Sequence, residues 1–205
     1  EKHNLTYFGI AGTGIGALRH QGFIPWDDDI DVAMPRDDFE RLVRFIEKEK
    51  GDKYLIMDTK HYPNYPLMTT RITMRGTKFK EEALKSIDAP MGIFLDLYPL
   101  DKMSDDPKEA KKQARDAWFW SKILILRSIP FPMLGFTGWK KKVIHAICGL
   151  AHLGLKILHV PRLWIYKKAY EAETRYNHYE KKSSSNVWRL YAAATRREKK
   201  ESLSI

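Results

Sequence analysis

Residues 24–34 read I-P-W-D-D-D-I-D-V-A-M: four aspartates, Asp27, Asp28, Asp29 and Asp31, run directly into an apolar segment with strand character. Side chains alternate faces along a strand, so a strand over residues 29–34 sets Asp29 and Asp31 on one side and Ile30 and Val32 in the body of a sheet. Alternate strand residues lie about 6–7 Å apart, and two carboxylates so placed repel and each tends to hold a proton. A hard divalent cation between them reverses the sign of that field. The segment therefore confines the chain to a fold with a carboxylate-bearing sheet, and its chemistry to a magnesium or manganese site.

The surrounding pattern supplies the rest of a sheet. Residues 5–11, L-T-Y-F-G-I-A, read as a strand that ends in the glycine-dense turn G-T-G-I-G, and residues 15–20 as a short helix. Pro35 and Asp37 start an amphipathic helix with Phe39, Leu42, Val43 and Ile46 on one face and Gly51 at its end. Residues 54–57 and 67–73 read as strands, the second carrying Arg71, and the prolines and tyrosines of residues 61–66 form a loop. Residues 92–100, G-I-F-L-D-L-Y-P-L, are apolar on both faces except at Asp96, the signature of a buried strand. A lone carboxylate there is costly without a partner.

Beyond Asp101 the pattern turns helical. One helix starts near Pro107 and ends at Pro130, a second starts at Thr137, and a third follows Pro161. The K-K-S-S-S-N stretch around Ser184 reads as a flexible loop. The apolar run of residues 143–158, broken by His145, His152 and Lys156, is too short and polar for a span of about 20 residues. It reads as a core helix; the alternative is an interfacial helix with Lys140, Lys141 and Lys142 at lipid headgroups.

With 205 residues, 43% of them hydrophobic, the chain can bury one substantial core, as one domain or a domain with a helical appendage. Its one cysteine, Cys148, excludes a disulfide framework and a structural zinc cluster and suits a reducing compartment. No secretory signal follows the opening E-K-H-N-L. Charge is segregated: residues 1–105 hold 15 Lys+Arg and 18 Asp+Glu, a net −3, and residues 106–205 hold 21 and 8, a net +13. A basic half beside a metal-binding half suits a phosphate-bearing partner, whether nucleotide, nucleic acid or anionic membrane; the alternative is a solubilising surface of lysines.

Three separated pieces then converge on one chemistry: the G-T-G turn, the D-I-D pair and Asp96. A glycine turn lets backbone N–H groups approach a phosphate. Carboxylates opposite it hold the metal that bridges to that phosphate, and a third completes a metal clamp or takes the proton of an incoming hydroxyl.

The run A-G-T-G-I-G-A-L-R-H-Q-G-F-I-P-W-D-D-D-I-D-V-A-M-P-R-D-D-F-E-R-L over residues 11–42, with G-I-F-L-D-L-Y-P-L-D over residues 92–101, resembles the LicD family. Those proteins are phosphotransferases of the nucleotidyltransferase superfamily, related to the fukutin-type ribitol-phosphate transferases. The resemblance covers residues 3–101 and implies an α+β fold: a small mixed nucleotidyltransferase-like β-sheet with flanking helices, followed by a mainly α-helical C-terminal region. It divides the chain into a catalytic core, residues 1–105, and a basic helical region, residues 106–205, facing acceptor or membrane. By the same resemblance Gly12, Thr13 and Gly14 contact nucleotide phosphates, Asp29, Asp31 and Asp96 are catalytic and bind Mg²⁺ or Mn²⁺, and Asp27 reaches a second metal.

Arg19 and Arg71 are candidates to offset phosphate charge, Arg71 alternatively forming a surface ion pair. Asp28 points away into a structural hydrogen bond, and His20 is a hydrogen-bonding or stacking residue before it is a general base. Trp26 and Tyr98 pack in the core or, alternatively, stack on a base or enclose a quaternary ammonium. The implied reaction moves a phospho-alcohol, foremost phosphocholine from CDP-choline, onto a hydroxyl of a glycan or lipid-linked glycan such as a teichoic acid or lipopolysaccharide precursor. The implied location is the bacterial cytoplasm at the inner face of the plasma membrane, with peripheral attachment to anionic lipid and no nucleic acid. The rivals are a D-x-D glycosyltransferase using a sugar nucleotide and a non-catalytic membrane- or nucleic-acid-binding protein. The chain reaches a strand already at Leu5 and closes on the charged R-R-E-K-K-E-S-L-S-I without an obvious closing strand, so truncation at both ends is expected.

Overall fold

Nine consecutive residues, Phe94–Lys102, form the strand around which everything else is arranged. The computed structural model describes residues 3–178 except Leu134 and Phe136, and the backbone of Trp188–Leu190. In chain order the strands are β1 (Phe8–Gly9), β2 (Asp31–Pro35), β3 (Tyr54–Met57), β4 (Thr70–Met74), β5 (Phe94–Lys102) and β6 (Trp188–Leu190). They form one mixed sheet of order β1-β2-β5-β4-β3, with β6 added to the far end of β5. Only β2 and β5 run parallel. The helices are α1 (Ala11–Ile15), which continues into a π-helical turn at Gly16–His20, α2 (Arg36–Glu49), α3 (Pro107–Ser128), α4 (Gly138–Ile157) and α5 (Arg162–Glu173). This is the expected α+β class.

The period-2 alternation of the strands sorts apolar from acidic residues. Met34, Phe39 and Leu97 form a buried cluster with Val32, Leu42, Val43, Ile72 and Leu95, which seats α2 on one face of the sheet. Asp31, Arg71, Asp96 and Tyr98 alternate with these residues and so point to the other face. On that face Met57, opposite Arg71, joins Tyr65, Leu84, Ile87 and Ile129 in a second cluster, against which Ile125 of α3 packs, Ile129 being the residue that caps that helix. Each fully buried side chain of this size contributes roughly 1.5–3 kcal/mol.

The helical half is fastened to the sheet by polar bonds. Asp106 caps α3, its carboxylate accepting from the Lys108 N–H at 2.7 Å, and Pro107 stands at the first helical position. Ile165, Ala169 and Ala172 of α5 are buried, as are Ala110, Gln113, Ala117 and Leu124 of α3. At the start of α2, Arg36 donates from Nε and Nη2 to both oxygens of Asp101 at 2.8 and 2.6 Å. The Asn177 side chain donates to Asp101 Oδ1 at 2.6 Å, and Gln113 donates to the carbonyls of Lys102 and Glu173.

Glu173 is nearly fully buried, with Oε2 at 3.8 Å from Arg36 and Oε1 without a partner among the described residues. Burial pushes its carboxyl up to about 8, against the pull of Arg36. The native protein thus holds a proton there that the unfolded chain has lost. The resulting stabilisation is full below about pH 4.5 and fades as the pH rises through 8. Melting temperature is expected to fall over that window in the native chain and to fall less in Glu173→Gln, a difference read by thermal unfolding in buffers of matched ionic strength.

Several sequence expectations are corrected. The first strand is limited to Phe8–Gly9 because Ala11 takes a positive φ of 48° and turns the chain into α1. The G-T-G segment is therefore helical rather than a turn. Its glycines serve close packing: a Cβ at Gly14 would stand 2.8 Å from the Gly9 carbonyl oxygen, and one at Gly12 would overlap the Asp27 carboxylate. Asp29 precedes β2 instead of lying in it. A short strand, β6, does follow the helices. The stretch around Ser184 lies outside the described residues. The run of residues 143–158 forms α4, which buries none of its residues among those described, so the core-helix reading fails. Its apolar side, with Trp139, Ile147 and Leu150, stands exposed among the described residues.

Candidate metal centre

Sheet register builds the site. Asp31 opens β2 directly beside Asp96 of β5, and Asp96 in turn lies directly opposite Arg71 of β4, so one rung of three strands carries acid, acid and base. The Asp96 N–H donates to the Ile30 carbonyl at 2.9 Å, which fixes the segment leading from Asp29 to Asp31 against β5. The Thr13 hydroxyl accepts the Asp31 N–H at 2.9 Å, and Ile10 N–H donates to the Asp31 carbonyl at 3.1 Å. The glycine-rich helix is thereby tied to the acidic strand end.

Asp29, Asp31 and Asp96 each bring a carboxylate oxygen within 4.8 Å of the others. Asp31 and Asp96 are buried and Asp29 is half-buried. Burial, then the neighbouring charge of Asp29, pushes the Asp31 carboxyl up to about 6, with Asp96 and Asp27 adding to the rise and a hydrogen bond from Tyr98 opposing it. Asp29 is raised by burial and by Asp27 and Asp28, and Asp96 by burial against the attraction of Arg71. Burial and the adjacent carboxylates keep the Tyr98 phenol protonated, which suits it as donor to Asp31.

Converging hard oxygens that resist ionisation next to one another fit a divalent cation, whose charge removes the repulsion. The residues present therefore fit a hard divalent cation, and all three carboxylates stand at positions singled out in the sequence.

Other candidates fall differently. Asp27 stands outside the triad, pressed over Gly12 with its Oδ2 buried and without a hydrogen-bond partner among the described residues. Asp28 is exposed. Arg71 is a buried ion pair rather than a surface one: Nε donates to Asp96 Oδ1 at 2.8 Å, Nη1 to Glu81 at 2.5 Å, and the guanidinium lies 3.7 Å from the centre of the Phe94 ring. Arg19 is exposed at the end of the π-helical turn and makes no ion pair among the described residues. His20 is exposed and meets Trp26 edge-on at 6.3 Å between centroids. Trp26 is 81% exposed, so its core-packing reading fails; Tyr98 is the hydrogen-bonding partner of Asp31.

Sequence reasoning missed Glu81. It comes from the segment between β4 and β5, which has no periodicity to place it, and the adjacent pair Glu81 and Glu82 reads as ordinary surface charge. The network of Arg36, Asp101 and Glu173 was also missed, since these residues lie 65 or more positions apart. A cavity of about 400 Å³ borders that network on the α2 side of the sheet, with none of Asp29, Asp31 and Asp96 in its lining, which includes Phe39, His61, Tyr166 and Tyr170.

The lipopolysaccharide cholinephosphotransferase LicD of Haemophilus influenzae is 35% identical over 109 residues, 53% of this chain and 40% of that protein. Uncharacterized proteins of Rickettsia prowazekii and Rickettsia typhi are 49% and 38% identical over 61 residues, 30% of this chain and 23% and 20% of theirs. The chain thus spans less than half the length of the curated relatives it matches. No solved structure matches the chain. The model of the family described as LicD/FKTN/FKRP, nucleotidyltransferase domain, matches residues 4–131, which include every member of the carboxylate triad, and the chain belongs to that family.

Proposed function

We propose that this protein is a metal-dependent phosphotransferase that moves phosphocholine from CDP-choline to a hydroxyl of a cell-surface glycan precursor. The observation that carries the reading is the convergence of Asp29, Asp31 and Asp96 within 4.8 Å at the joined ends of β2 and β5. The relative from Haemophilus influenzae, named as a lipopolysaccharide cholinephosphotransferase, supports the choice of group. A lipid-linked lipopolysaccharide or teichoic acid precursor is the acceptor class that this reading entails.

Asp29, Asp31 and Asp96 would hold Mg²⁺ or Mn²⁺, which when bound neutralises the diphosphate and the charge developing on the leaving group. Arg71 favours the ionised form of Asp96 against its burial and aims it at the site through its fork of two bonds. Tyr98 and the Thr13 hydroxyl orient Asp31 from its side chain and its backbone. Arg19, free of ion pairs among the described residues, offers its guanidinium to the donor phosphates.

The acceptor oxygen attacks the phosphorus that bears choline. The bond from that phosphorus to the bridging oxygen breaks, and CMP leaves with the electron pair. Asp29, the most exposed of the three carboxylates, takes the acceptor proton.

The test is incubation with Mg²⁺, a glycan acceptor and a panel of CDP-alcohols beside UDP-sugars, with release of CMP or UDP and product mass as readouts. CMP release with CDP-choline and a product heavier by one phosphocholine is expected. UDP release instead would replace the reading with a D-x-D glycosyltransferase.

A further inference from the structure

We propose that α4 is a docking helix that lies flat on an anionic lipid surface. Trp139, Val143, Ile147, Leu150, Leu153 and Ile157 are all between 47% and 71% exposed. At 100° per residue they fall within an arc of about 120° on one side of the helix. Lys140 and Lys142 flank the arc on opposite sides, where long side chains can bury their stems and keep their ammonium groups among headgroups. An apolar face of this extent, open to solvent on a protein with two packed cores, marks a surface that meets something else.

Charge selects the partner. Between Asp116 and Glu171 there is no acidic residue and there are nine Lys or Arg. Such a lobe complements an anionic surface, each basic residue near it adding about 1 kcal/mol. Residues 179–205 are a poor cover by the same measure, since they carry seven Lys or Arg against three Glu. A second copy docking through the same patch would bring two lobes of the same positive charge together.

Lying flat is the simpler geometry: among the described residues no single helix is long and apolar enough to cross a membrane, and α4 and α5 pass that test only as a pair bent by 112°. The α5 helix has Ile165, Ala169 and Ala172 committed to the protein interior. The inference goes beyond the transfer reaction and does not depend on it.

The experiment is co-sedimentation of the full chain with vesicles of equal parts phosphatidylglycerol and phosphatidylcholine, or of phosphatidylcholine alone. Binding to the anionic vesicles that weakens with salt is expected. The double variant Ile147→Glu, Leu150→Glu should lose it by about tenfold or more, with its thermal unfolding midpoint unchanged because both side chains are already in solvent. Lys140→Glu with Lys142→Glu should remove the preference for anionic lipid.

Equal binding to both vesicle types, or binding that survives the Ile147 and Leu150 changes, would overturn the proposal. So would sedimentation velocity showing a dimer that those changes dissolve while the native chain ignores vesicles. CMP release with a soluble acceptor, measured on the same double variant, is expected to be unchanged, so failure to dock and failure to transfer are read apart.

Discussion

Asp31→Asn is expected to abolish turnover while making the metal-free protein more stable. The substitution keeps the shape of the side chain and an oxygen that can accept from Tyr98, so the β2–β5 rung stays intact. What it removes is charge. In the metal-free native state Asp31 gives up its proton only near pH 6, whereas in the unfolded chain it does so near 3.8. The native state therefore binds more protons between those values, and stability falls as the pH rises through about 6. Above that pH the asparagine relieves the repulsion, worth about 1 kcal/mol or more, or about 2–4 °C in a domain of this size.

The same substitution removes a ligand, and transfer should drop by about 10²–10³-fold or more, as when a group that stabilises developing charge is lost. Steady-state CMP release and calorimetric melting of the metal-free protein check the two halves. Turnover within a few-fold of the native chain would remove Asp31 from the mechanism.

The largest loss of stability is expected at a residue far from the aspartates. Asp101→Ala leaves Arg36 with its fork unmatched and Glu173, at 3.8 Å, as its remaining acidic neighbour among the described residues. It also takes the Oδ1 acceptor from Asn177, whose own carbonyl oxygen receives the Lys102 N–H. Removing one partner of a buried ion pair costs about 3–5 kcal/mol, a large fraction of the stability of a domain. Urea unfolding at neutral pH should show that loss. Asp101→Asn, which retains an acceptor for Arg36, should lose less. Equal stability of Asp101→Ala and the native chain would mean that the helices hold to the sheet without this network.

The aspartate triad was legible in the sequence, but for a partly different reason from the one that governs it. Asp29 and Asp31 were placed together by strand alternation. In the protein Asp29 lies ahead of β2, and what gathers the three carboxylates is the parallel register that sets Asp31 beside Asp96. Strand pairing is a long-range choice that local pattern does not encode. The G-T-G segment shows the converse: its glycines signalled a close approach, and the approach is real, but to Asp27 and the Gly9 carbonyl within a helix.

Arg71 was placed on its strand, yet its partner Glu81 emerges from an aperiodic segment, so its burial could not be read. The apolar run in α4 could not be sorted by pattern alone, because a core helix and an interfacial one share the same stripe. The exposure of Trp139, Ile147 and Leu150 is what shows that this stripe is left open among the described residues.

The claim on which the rest stands is that Asp29, Asp31 and Asp96 form a divalent-cation site, and titration of the metal-free protein with Mn²⁺, followed by electron paramagnetic resonance, tests it without reference to turnover. Saturable loss of the free Mn²⁺ signal is expected at pH 7.5, competed by Mg²⁺, weakened below about pH 6 as Asp31 takes its proton, and absent in Asp31→Asn. Mn²⁺ binding of equal strength in the native chain and in Asp31→Asn would contradict it.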